Sequence, residues 1–146
     1  MEKNPWVNQV SNIRLALAIQ ALQAALQKAD ELKVSISVAI VNTAGMAIHT
    51  AHMEGAPFQC QDIALKKALT AVGFSASTSL WQERLKSMST MVQQGLPLQK
   101  GMALFGGGEP FYFGAELIGA IGVSGASEEQ DILCAKAAVE RIKKML

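Results

Sequence analysis

Residues 115–131, AELIGAIGVSGASEEQD, limit the fold more than any other part of the chain. Leu117, Gly119, Ile121 and Val123 alternate with Ile118, Ala120 and Gly122, so both faces of this run are apolar. A strand apolar on both sides belongs in the middle of a sheet covered on both faces. The chain then turns at Ser124-Gly125-Ala126, and Ser127 followed by Gln130 matches a helix capping box. Glu128, Glu129 and Asp131 fall in the first helical turn, where the helix dipole favours carboxylates. Just upstream lies Phe105-Gly106-Gly107-Gly108-Glu109-Pro110. One strand joins this glycine loop to the helix start, so the two are expected close together and are where chemistry is expected.

The rest of the chain supplies the layers around that strand. Asn12 to Leu32 reads as a helix, with Leu15, Ala18, Ile19, Leu22, Ala25, Leu26 and Ala29 on its buried face. Val34 to Val41 and Met46 to Met53 read as a hairpin across the turn Asn42-Thr43-Ala44-Gly45. Gln59 to Ser75 is helical, with Gln59, Asp62, Lys66 and Thr70 as its polar stripe. Ser79 to Met91 reads as a third helix opened by a Ser79/Gln82 capping box, and Gln93 to Lys100 as loop. Met102 to Phe105 and Phe111 to Phe113 are short strands around the glycine loop. Ile132, Ala135, Val139, Ile142 and Leu146 mark the closing helix. Consecutive strands joined by short turns, with helices segregated along the chain, predict an antiparallel α+β domain over 1–146.

Composition excludes several roles. The formal net charge is +1, and no basic–aromatic interleaving points to nucleic acid. No apolar run reaches the roughly 18 residues that cross a bilayer, and Glu2 and Lys3 interrupt any signal-peptide pattern. Two cysteines make no disulfide framework, which predicts reduced thiols and a cytoplasmic setting. With 50% hydrophobic and only 17% charged residues, apolar surface is left over for a homo-oligomer to bury.

The candidate site residues each have a plain reading and a sharp one. Gly106, Gly107 and Gly108 could offer backbone N–H groups to an anion, or serve only as a tight turn. Lys67 falls on the side of its helix with Cys60, Ala64 and Ala71; its stem either snorkels past the core edge or aims a cation into a pocket. Glu129 and Asp131 could work as an acid–base pair or simply stabilise the helix start. His49 and His52, three apart on a strand, point to opposite faces and cannot both ligate one metal from one subunit without a bulge, so no metal site is expected. Cys60, at a helix start, is a thiol candidate or a small buried residue, and Cys134 a buried one.

The segments SISVAIVNTAG, HMEGAP, QDIALKKALTAVGF, FGGGEP and LIGAIGVSGASEEQD together resemble the GlcG/HbpS family, also described as the haem-degrading or PduO C-terminal-like domain. The resemblance runs from about Ile13 to the end of the chain. It implies a profilin-like five-stranded antiparallel sheet flanked by helices, oligomeric assembly, and haem or a small organic molecule as ligand. Lys67, Gly55-Ala56-Pro57, Gly106 to Gly108, Gly122 to Gly125 and Glu129-Gln130-Asp131 match the family pattern. Asn42 and His52 depart from it, standing where an aspartate and an arginine are common. For haem, the axial candidates are His52, then His49, then Cys60.

Three readings follow. The first is a small-ligand-binding accessory protein of a catabolic pathway, with a pocket lined by Gly55, Phe105, Gly106 to Gly108, Ser124 and Gly125. The second is an enzyme acting on small carbonyl or imine compounds, with Lys67, Glu129 and Asp131 as catalytic groups. The third is a non-catalytic structural subunit.

Overall fold

Alanine dominates the buried side of the first helix, and that sets how closely the layers pack. In the computed structural model, which describes residues 3–146, α1 spans Leu15–Leu32 and buries Ala18, Ala21, Leu22, Ala25 and Ala29. Residues 1 and 2, part of the segment read for a signal peptide, lie outside the described residues. The helix starts at Leu15 rather than Asn12 because the preceding residues are bonded elsewhere. Asn12 Oδ1 accepts from the Thr43 amide at 2.8 Å, and the Ile13 amide donates to Ile118 O at 2.8 Å. Lys33 ends the helix in the left-handed conformation, with φ 57°.

The hairpin is β1, Ser37–Asn42, and β2, Ala47–His52. Asn42 builds its turn by accepting from the amides of Ala44 and Met46. Next come α2, Gln59–Phe74, and a 3-10 turn, Thr78–Leu80. They lead to α3, Trp81–Lys86, and α4, Thr90–Gly95. The single helix expected over Ser79 to Met91 is therefore broken, and the Ser79/Gln82 capping box does not form. Ser89 instead caps α4, accepting from the Val92 amide. Serine competes with helix interiors in this way, by bonding the backbone itself. Another 3-10 turn, Leu96–Leu98, occupies part of the expected loop.

β3 is Gly108–Phe113, β4 is Glu116–Ser124 and α5 is Glu128–Met145. The expected capping box of α5 is present in full. Among the described residues the sheet has four strands, in the order β2-β1-β4-β3, and every pairing is antiparallel. This corrects the five-stranded expectation. Met102 to Phe105 makes no strand because its backbone is tied to helix side chains: Ala103 N donates to Thr70 Oγ1, and the next segment follows suit at Gly106.

β4 lies between β1 and β3, as its two apolar faces require. On one face, Val38, Ile40, Phe111, Ile121 and Val123 pack under α1 and α5. On the other, Val41 and Ala120 pack against Ala68, Ala71 and Val72 of α2. The alternation read along β4 is interrupted by a bulge. Phe111 sits opposite Gly119 but Tyr112 opposite Leu117, so Ile118 is the extra residue. Ile118 thereby joins the α1/α5 core and Leu117 the α2 side, the reverse of a regular strand. α2 lies almost on the backbone of β4: a Cβ on Gly122 would stand 1.8 Å from Ala64 O. By contrast, residues 82–100 carry no buried side chain.

Candidate functional site

Helix periodicity puts Lys67 and Thr70 on the side of α2 that faces the sheet. Both are 1% exposed, so Thr70 does not belong to the outer polar stripe as expected. Nor does Lys67 snorkel outward. Its Nζ donates to Val123 O at 2.8 Å and to Asp131 Oδ2 at 3.1 Å, and lies 4.9 Å from the centre of the Phe105 ring. Asp131 is 3% exposed, and its other oxygen accepts from the Ala126 amide at 3.0 Å. The pair thus ties α2, on one face of the sheet, to α5, on the other, past the point where β3 begins. Burial holds the Lys67 ammonium below the ordinary lysine range against the pull of Asp131. Burial likewise raises Asp131, against the pull of Lys67.

The glycine loop closes over this pair. A Cβ on Gly107, whose φ is 125°, would lie 2.7 Å from Lys67 Nζ and 2.5 Å from Val123 O. One on Gly106 would meet the Ile132 side chain at 2.4 Å, and one on Gly108 would meet Lys67 O at 2.4 Å. Close approach is what these glycines permit. Two of the three amides are already used: Gly106 N donates to Glu128 Oε1 at 3.0 Å, and Gly108 N to Thr78 Oγ1 at 2.8 Å. The carbonyl of Gly107 accepts from Val123 N.

The other site residues fall in different surroundings. Asp131 meets Lys67, whereas Glu129 is exposed, so the carboxylates read as a pair do not face the lysine together. Gly55 and Gly125 both press on Ser35: an added Cβ would lie 3.4 Å from Ser35 Oγ in one case and 2.7 Å from Ser35 O in the other. Ser124 is buried opposite Ser37. His49 stands opposite Ile40 and His52 opposite Ser37, so the two rings are on opposite faces of β2. His52 Nε2 lies 3.0 Å from Ala56 O. Cys60 and Cys134 are both buried, and burial pushes the Cys134 thiol up to about 11.

Three residues outside the expected set hold the loop. Glu128, Thr70 and Thr78 take the amides of Gly106, Ala103 and Gly108. The i,i+3 spacing of Lys67 and Thr70 was the available signal for one of them. Glu109, which follows the glycine loop, is buried in β3. Its Oε2 accepts from Ser77 Oγ, its Oε1 has no partner among the described residues, and burial raises its pKa.

Of the open spaces that lie away from Lys67, two bear on ligand binding. A cleft of about 300 Å³ runs along β2, lined by Ser37, Ala39, Thr50, His52, Gln61 and Leu65 among others. A mainly apolar groove of about 620 Å³ is bordered by Ile13, Arg14, Leu17, Phe113, Ile118 and Met145 among others.

Sequence and structure comparisons converge. The profile of the family described as "Haem degrading protein HbpS-like" matches residues 13–140. A 15.0 kDa protein from the dhaT-dhaS intergenic region of Citrobacter freundii is 33% identical over 132 residues, 90% of this chain and 93% of that protein. The crystal structure of protein ORFY from Klebsiella pneumoniae superposes with a TM-score of 0.87 at 32% identity, covering 97% of this chain and 98% of that one. A crystal structure of a PduOC:heme complex gives a TM-score of 0.82 at 30% identity, over 90% of this chain and 95% of that one.

Proposed function

The chain belongs to the HbpS-like family, and from that premise we propose that it is a small-ligand-binding accessory protein with haem as its ligand. The observation that carries the reading is the PduOC:heme complex, a relative 30% identical and matched over 95% of its length. The chain's own residues fit such a group at the β2 cleft. With its proton on Nε2, His52 donates to Ala56 O and presents the Nδ1 lone pair as an iron ligand. Ala39 and Leu65 offer apolar wall, while Ser37, Thr50 and Gln61 offer hydrogen bonds to polar substituents. The cleft is at the lower end of ligand-pocket size, about 300–1,000 Å³, and is open, as a macrocycle larger than the cleft needs. Haem would supply an iron centre for binding or redox chemistry, and the cleft residues would anchor and orient it.

Haemin titration of the purified protein, read by visible absorbance, tests this. A saturable band of one haem per chain is expected. His52→Ala should weaken it by at least about tenfold, while His49→Ala, on the other face, should not. An unchanged band in His52→Ala would move the ligand away from this cleft. Absence of any saturable band would remove haem.

The chain is further proposed to work as a homo-oligomer. Residues 82–100 support this, since they expose Met91 and Leu98 and bury nothing. Light scattering coupled to gel filtration gives the answer; a monomer at high concentration would refute it.

A further inference from the structure

A lysine buried to 1% exposure is usually sealed on all sides, but the cover over Lys67 is thin. The Phe105 ring lies 4.9 Å from Nζ and is itself 46% exposed, so on that side one ring stands between the amine and solvent. Phe105 sits in an irregular segment, 102–107, between two left-handed glycines, Gly101 at φ 76° and Gly107 at φ 125°. The segment's polar anchors are all backbone ones: Ala103 N to Thr70, Gly106 N to Glu128, and Gly107 O from Val123 N. Rotation of the Phe105 side chain breaks none of them. Asp131 Oδ2, 3.1 Å from Nζ, is positioned to take a proton from the ammonium and return it.

We propose that Lys67 is a site of reversible imine formation with small uncharged aldehydes, gated by the Phe105 ring and served by Asp131 as proton carrier. Asp131 first takes a proton from Nζ, leaving a neutral amine and a carboxylic acid. The amine lone pair forms the C–N bond as the carbonyl π bond opens. The second nitrogen proton passes to the oxygen, giving a carbinolamine. Asp131 then protonates the hydroxyl, which leaves as water, and the nitrogen lone pair closes the C=N bond. The product is an iminium beside the Asp131 carboxylate, so the buried charge stays paired, as a buried ion pair requires. Burial weakens the hold of Nζ on its proton, which favours the first step. The class of aldehyde follows from the surroundings. The Glu128 carboxylate binds Gly106 N beside the Phe105 position and disfavours anionic carbonyl compounds.

The test uses propionaldehyde with cyanoborohydride as trap and peptide-resolved mass spectrometry as readout. Lys67 should be propylated in the wild type, and at least about tenfold faster in Phe105→Ala, while surface lysines such as Lys86 and Lys143 keep their rates. Glyoxylate, an anionic aldehyde, should label Lys67 more slowly than propionaldehyde relative to those surface lysines. Cys134, fully buried at 0% exposure, reports global opening. Its alkylation should stay slow in both proteins. The proposal is overturned if Lys67 remains unlabelled while surface lysines react. It is equally overturned if Lys67 labelling rises only in step with Cys134 alkylation, since unfolding alone would then expose the amine. Neither outcome depends on whether haem binds.

Discussion

The two faces of the sheet are packed to different depths. Under α1 and α5, large aliphatic side chains such as Ile40, Ile121 and Ile142 share the layer with the alanines of both helices. Under α2, Val41 and Val72 join Ala68, Ala71 and Ala120, and at Gly122 the helix rests on bare backbone. The first face can lose a methyl group and relax. At Gly122 the second is a contact of backbone on backbone, which has no side chain to give way. The thin face is also the one that carries Lys67. Drawing α2 down onto β4 lets the lysine reach Val123 O and the start of α5 from the opposite layer. The difference teaches that Gly122 serves chiefly to set the height of α2, and with it the position of a charge.

The harshest way to break this comparison is Gly122→Val. Its Cβ would lie 1.8 Å from Ala64 O and 2.6 Å from Ala68 N, both backbone atoms. No cooperative unfolding transition is expected by circular dichroism. A folded Gly122→Val protein would mean that α2 can lift without loss, and the account of the thin face would fail.

The next largest effect belongs to the charge. Lys67→Met removes one partner of a pair whose side chains are 1% and 4% exposed. Leaving Asp131 buried and alone should cost about 3–5 kcal/mol in urea unfolding. Lys67→Met combined with Asp131→Leu should recover most of that loss, because replacing both ions removes the uncompensated charge. If the double variant is no better than the single one, the cost lies in packing around Phe105 and Val123 rather than in the pair. On the other face, Ile121→Val should cost only about 0.5–1.5 kcal/mol, the ordinary result of deleting one buried methylene.

Much of this could be read along the chain, and the failures have identifiable causes. The capping box at Ser127 and Gln130, the central place of β4 and the opposite faces of His49 and His52 all depend on local spacing, which sequence carries. The closeness of the glycine loop and the start of α5 was also legible, because one strand joins them. That α2 meets α5 there through a packed ion pair was not. Burial of Lys67 depends on the depth to which Gly122 lets α2 sink, a long-range property. The fifth strand failed for a related reason: Met102 to Phe105 has strand-like residues, but Thr70, distant in sequence, claims its backbone. The phase of Leu117 and Ile118 was lost to a bulge, which shifts faces without altering the pattern of residues.

The smallest expected effect tests Glu109, a carboxyl buried beside the aliphatic face. Glu109 pairs in register with Ile121, is 5% exposed, and leaves Oε1 without a partner among the described residues. Burial raises its pKa above the reference value of 4.5, against the opposing pull of the Ser77 hydrogen bond and the Lys136 charge. An acid whose pKa is raised by folding binds more protons in the native state than in the unfolded one. Stability from this group is therefore fully present below the unfolded pKa and is lost as pH rises through the folded one. The wild type should accordingly gain stability as pH falls from neutral toward 4.5, while Glu109→Gln, which cannot titrate, should gain less. Asp131, also raised, contributes in the same direction in both proteins, so the difference between their slopes isolates Glu109. That difference is read as melting temperature at closely spaced pH values. Parallel slopes would mean that Glu109 is as well solvated or as well paired in the folded protein as in the unfolded chain. The aliphatic face would then tolerate a carboxylate, and the contrast between the two faces would be weaker than the packing implies.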